Sequence, residues 1–121
     1  MRRQVYILFV CLLFVCSSKG QGIILNIPAP FNNDAMTLFP FIIGKDMDSV
    51  TVNHERIHFS QQLEMLVVPF YLWYVIEWAI KKIKWGSDSY LHISFEKEAF
   101  ANAVNMKYRK HRKHYRWVKY L

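Results

Sequence analysis

The segment Val52-Asn53-His54-Glu55-Arg56-Ile57-His58-Phe59 contains the pattern H-E-x-x-H. Residues four apart on an α-helix stand one above the other, so the imidazoles of His54 and His58 project from one face and can meet one metal ion. Glu55 sits one position round from His54. There a carboxylate can take a proton from water held by that ion while staying outside the coordination shell. These residue types at this spacing point to zinc-dependent hydrolysis, with Zn2+ as the expected cofactor. A catalytic zinc needs three protein ligands and one open position, and two histidines with a glutamate form a recurrent set. The expected third ligand is Glu98, in the segment Ile93-Ser94-Phe95-Glu96-Lys97-Glu98-Ala99-Phe100-Ala101-Asn102; Glu96 competes for the role. One antiparallel helix and a turn separate His58 from Glu98, a connection that can bring the later helix back beside the first.

With these residues the sequence resembles the gluzincin metallopeptidases, in which H-E-x-x-H on one helix is completed by a glutamate on a later helix. The pattern Glu98-x-x-Ala101-Asn102 is similar to the E-x-x-A-D signature of the membrane-bound CAAX-prenyl-protease and HtpX type. The resemblance implies His54, His58 and Glu98 as metal ligands, Glu55 as general base, and a peptide or protein substrate. In that signature the last acid orients a ligand imidazole; here Asn102 takes its place, and its amide oxygen can still accept that hydrogen bond. From about residue 36 to 121 the chain is also similar to a set of small Bacteroidota proteins, a likeness that brings no activity with it.

The elements that must position these groups follow from a chain of 121 residues, 53% of them apolar and 17% aromatic. That length suits one small domain and excludes a multidomain enzyme, a β/α barrel or a doubly wound sheet. The expected fold is mainly α, a minimal zincin-like domain over residues 21–121. Three helices are predicted at about 49–65, 66–85 and 95–119, with short extended segments at 23–27 and 36–43. Ser49 opens a run free of Gly and Pro up to Pro69, where the helix is expected to restart. Ser94 is the expected N-cap of the third helix. Phe39 to Ile43 is the candidate edge to hold an extended substrate, with Pro40 keeping that segment irregular. Gln61 and Gln62 are expected to solvate the motif helix. His92 could orient a substrate carbonyl, and Glu77 either reaches solvent or pairs with Lys81 at i+4.

Met65 to Ile80 is apolar apart from Glu77 and carries Trp73, Tyr74 and Trp78, with Lys81, Lys82, Lys84 and Trp85 following. It reads either as a buried core helix or as a helix lying on a membrane, with its aromatic and basic residues in the headgroup zone.

Charge is uneven. The 16 Lys+Arg and 9 Asp+Glu give a formal +7, and seven of the bases (Lys107, Arg109, Lys110, Arg112, Lys113, Arg116, Lys119) fall in the last 15 positions. Val104, Tyr108, His111, Tyr115 and Val118 recur there at helical spacing, predicting an amphipathic basic helix. Its readings are packing on the domain or attraction to an anionic membrane surface. The N-terminus has a basic start, an apolar run from Val5 to Cys16 and small residues at Ser18 and Gly20, the layout of a signal peptide over residues 1–20. An exported or membrane-associated protein of the cell envelope is expected, which argues against nucleic acid as the partner of the basic tail. Both cysteines, Cys11 and Cys16, lie in that run, leaving the mature chain without thiolate ligands. Two other functions fit the same features: a non-catalytic metal-binding protein, and a helical membrane-surface module in which H-E-x-x-H is incidental.

Overall fold

A computed structural model describes Gln4 and residues 20–121. The signal-peptide segment and both cysteines lie outside the described residues, apart from Gln4 and Gly20. The protein is mainly helical with a small three-stranded sheet.

Strand β1 is Ile23–Leu25, β2 is Ala35–Leu38 and β3 is Phe41–Gly44, in spatial order β1-β3-β2. β1 pairs parallel with β3, Ile24 opposite Ile42; β2 pairs antiparallel with β3, Thr37 opposite Ile42. Pro40 sits in the two-residue turn between β2 and β3, where its missing N–H costs no ladder bond. The expected segment 36–43 is therefore two strands. The edge beside the cleft is β2, and Phe41 to Ile43 belong to the central strand.

Helix α1 is Ser49–Glu64. Asp48 caps it, its carboxylate accepting from the Thr51 N–H at 2.7 Å, which also lowers the pKa of that carboxyl. Of the eight buried residues of α1 only Ile57 and Phe59 are apolar; the others are Asn53, His54, Glu55, His58, Gln61 and Gln62. This helix buries chemistry more than hydrocarbon, at the cost of finding a partner for each polar group. Ile57, Phe59 and Ile42 are fully buried, and Phe39 stacks on Phe59 with centroids 5.3 Å apart.

After Glu64 the helical path bends by 113°. Leu66 and Val67 make the corner with φ of 59° and 65°, a strained region for non-glycine residues and above all for β-branched valine. Helix α2, Val68–Trp85, restarts with Pro69 in its first turn, where a proline is tolerated. A 3-10 turn at Gly86–His92 leads to α3, Ser94–Asn102. Ser94 is the first helical residue, not the cap. Glu77 of α2 supplies the capping carboxylate, accepting from the Ser94 N–H at 2.7 Å and its hydroxyl at 2.6 Å, with Lys81 Nζ 3.9 Å from Glu77.

The third helix ends at Asn102, well short of the predicted 119. A single turn α4, Tyr108–His111, and a 3-10 turn, Arg116–Tyr120, carry the chain back over the domain. Trp117 is buried against Phe95, Phe70 and Ile93 to complete the core, with Met65, Tyr71 and Tyr74 around it. The expected amphipathic stripe does not form: Val104, Tyr115 and Val118 are exposed. Burying Trp117 and the Arg112 guanidinium outweighs continuing one exposed helix.

Candidate metal centre

Helix α1 presents His54 and His58 on one face, and their Nε2 atoms lie 3.1 Å apart. Helix α3 brings a carboxylate to them, and it is that of Glu96: its Oε2 lies 3.1 Å from His58 Nε2 and 3.3 Å from His54 Nε2. His54, His58 and Glu96 are buried together and could hold a metal ion.

Glu98, the expected third ligand, faces another way. Two residues on a helix differ by about 200° in direction, so only one of Glu96 and Glu98 can face the imidazoles. Glu98 is fully buried and fully engaged. It accepts from Arg112 (Nε to Oε1, 2.5 Å; Nη2 to Oε2, 3.0 Å), from the Tyr108 hydroxyl at 2.8 Å and from Gln61 Nε2 at 2.9 Å. Arg112 also forks onto Glu64 at 2.8 and 2.9 Å. Burial opposes the charge on Arg112, but the two carboxylates override it and hold its pKa above the usual value.

Gln61 links this ion-pair network to the His54, His58 and Glu96 cluster. Its Oε1 accepts from His58 Nδ1–H at 2.8 Å while its amide N–H groups go to Glu98 and to the Phe95 carbonyl. With Nδ1 committed as donor, the lone pair of neutral His58 is on Nε2, toward Glu96 and His54. Asn102 does not reach an imidazole; its amide donates to the Glu98 carbonyl at 2.7 Å and to the Tyr120 hydroxyl at 3.2 Å. His54 instead meets the edge of the Phe100 ring, centroids 4.5 Å apart. His92 stacks on Trp85 at 3.8 Å.

The electrostatics follow from this packing. Burial works against a charged His58, but the adjacent Glu96 carboxylate overrides it and raises His58 to about 9. Burial by itself would raise Glu96, yet the His58 charge and the hydrogen bonds from both imidazoles hold it well below the ordinary carboxylate range. Tyr74 donates to Glu96 Oε1 at 2.9 Å; burial first, then that carboxylate, push its hydroxyl far above the usual range. The Tyr90 hydroxyl is raised by the same causes.

A cleft of about 400 Å³ opens over the centre, reaching Glu55, His58 and Glu96 and walled by Tyr74 and Tyr90 and by strand β2. Glu55 Oε2 accepts from Thr37 Oγ1 at 2.6 Å. Gln62 pairs with the outer edge of β2, donating to the Thr37 carbonyl at 2.9 Å and accepting from the Phe39 N–H at 3.1 Å. Both glutamines, expected at the solvated side of α1, are thus buried partners. Thr37, Tyr74, Tyr90 and Arg112 were not singled out by motif reasoning. Only the fold brings them beside the centre, since no fixed spacing ties them to His54.

Neither a protein-family model, nor a curated protein, nor a solved structure matches this chain.

Proposed function

We propose that the protein is a zinc-dependent hydrolase of the metallopeptidase type, with His54, His58 and Glu96 as ligands. One observation carries the reading. The three ligand atoms stand 3.1, 3.1 and 3.3 Å apart, and two of the three residues, His58 and Glu96, line a cleft that Glu55 also lines. Four ligands at the usual zinc distances of about 2.0–2.1 Å form a tetrahedron with edges of about 3.3–3.4 Å, so the triad is close to one face of such a site. Calcium and magnesium prefer shells of oxygen, and a set of two imidazoles and one carboxylate disfavours them.

Zinc, when bound, acts as a Lewis acid and brings the pKa of water to about 7. Glu55, which lines the same cleft, would take the proton and return it to the leaving amine, its carboxylate oriented by the Thr37 hydroxyl. The Tyr74 hydroxyl, donating to Glu96 Oε1 at 2.9 Å, orients that ligand carboxylate, and Tyr90 lines the cleft where a peptide carbonyl would lie. The apolar walls favour an extended peptide with hydrophobic side chains.

A second reading, a non-catalytic zinc protein, is favoured by Gln62, which already fills the β2 edge at Thr37 and Phe39 where a substrate backbone would pair. Protein purified without added zinc should carry one equivalent of the metal, lost in His58→Ala and kept in Glu55→Gln. Casein cleavage abolished by Glu55→Gln then selects the hydrolase; full zinc occupancy without Glu55-dependent turnover selects the inert binder.

A further inference from the structure

Helix α2 is apolar on the wrong side for a core helix. Of its 18 residues only Phe70 and Glu77 are buried, while Ile83 is 90% exposed, Val68 65%, Leu72 62% and Ile80 60%. At about 100° per residue, Val68, Leu72, Ile83, Ile76, Ile80 and Trp73 fall in order across an arc of about 140° turned away from the domain. Solvent-facing apolar area that is continuous along a helix marks a docking surface.

The borders of the arc identify its occupant. Lys82 lies about 40° beyond Val68 on one flank, and Lys84 about 20° beyond Trp73 on the other. Each ammonium lies over an indole, Lys82 above Trp78 at 5.9 Å and Lys84 above Trp85 at 5.1 Å. The one acid of α2, Glu77, is buried on the domain side. Flanking cations on long alkyl stems, with aromatic rings beside them, suit an apolar face sunk among acyl chains while the ammonium groups reach phosphates. A second copy of α2 offers no exposed carboxylate to meet these lysines. No helix among the described residues is long and apolar enough to cross a membrane.

We propose that α2 lies in the plane of an anionic lipid bilayer, its Val68-to-Trp73 arc in the acyl boundary and Lys82 and Lys84 among the headgroup phosphates. The surface is independent of hydrolysis at the metal centre. The experiment is flotation of the full chain with vesicles of equal phosphatidylglycerol and phosphatidylcholine, beside vesicles of phosphatidylcholine alone. Binding to the anionic vesicles should be at least tenfold tighter. Lys82→Gln combined with Lys84→Gln should weaken it about tenfold, with little effect on neutral vesicles. Ile83→Glu and Leu72→Glu should each weaken binding to both at least tenfold, with thermal melting and zinc content unchanged because both side chains already face outward. Folded protein that stays with neither vesicle overturns the proposal, as does equal affinity for both. A lipid-free dimer in sedimentation that Ile83→Glu splits also overturns it, assigning the face to a second copy.

Discussion

The imidazole of His58 and the carboxylate of Glu98 never touch; Gln61 stands between them, accepting from His58 Nδ1 at 2.8 Å and donating to Glu98 Oε2 at 2.9 Å. Glu98 therefore acts on the His54, His58 and Glu96 cluster at one remove. Removing the relay by Gln61→Ala frees the His58 ring to rotate. A loss of about 10–100-fold in zinc affinity is expected, as for other partners of metal-bound histidines. Competition with a chromophoric chelator measures it, and affinity equal to that of the unmodified protein would refute the relay.

Glu96 and Glu98 should separate cleanly on substitution. Glu96→Ala abolishes stoichiometric zinc binding, whereas Glu98→Gln retains one equivalent and lowers thermal stability instead. Metal analysis beside a melting curve distinguishes them; the reverse pattern would restore Glu98 as ligand.

Arg112→Met leaves the carboxylates of Glu64 and Glu98 facing each other without their cation. Breaking a buried ion pair from one side costs about 3–5 kcal/mol, a large share of the stability of a small domain. Urea unfolding of the metal-free protein reads the change. A loss below about 1 kcal/mol would place the Arg112 network in the weakly stabilising class of surface pairs.

His58 gives the metal-free protein a pH signature. Its folded pKa of about 9 lies above the ordinary 6.5, so the stabilisation it contributes is full below about pH 6.5 and is lost as pH rises through 9. Zinc competes with that proton for the same lone pair. Near pH 7 its binding should release about one proton, and apparent affinity should rise up to about tenfold per pH unit before levelling near pH 9. Calorimetry in buffers of different ionisation enthalpy counts the proton; no buffer dependence would contradict the assignment.

Trp117 anchors the returning tail in the core. Trp117→Ala should cost about 3–5 kcal/mol, the usual range for emptying a large aromatic site. Circular dichroism melts measure it, and an unchanged midpoint would mean that the tail does not pack on Phe95.

The helix carrying His54 and His58 was legible because i,i+4 spacing on a Gly- and Pro-free run is a local property, as was the restart at Pro69. The choice between Glu96 and Glu98 was not local. Both stand in one helical turn, and what separates them is a guanidinium from Arg112, which no spacing rule connects to either. The alternation of Lys and Arg with Val104, Tyr108 and Tyr115 suggested one continuous helix, but the chain gains more by folding Trp117 under Phe70 and Phe95. The apolar run from Met65 was visible at once; that it turns its hydrocarbon outward depends on how much of the small core Phe59, Phe95 and Trp117 already fill.

The guanidinium that neutralises Glu64 and Glu98 comes from 48 and 14 positions further along the chain, and Glu98 in turn holds the Gln61 amide against His58. A cut between Asn102 and Arg112 would therefore be felt at the His58 ring as well as in the core, because two buried acids would lose this counter-ion together.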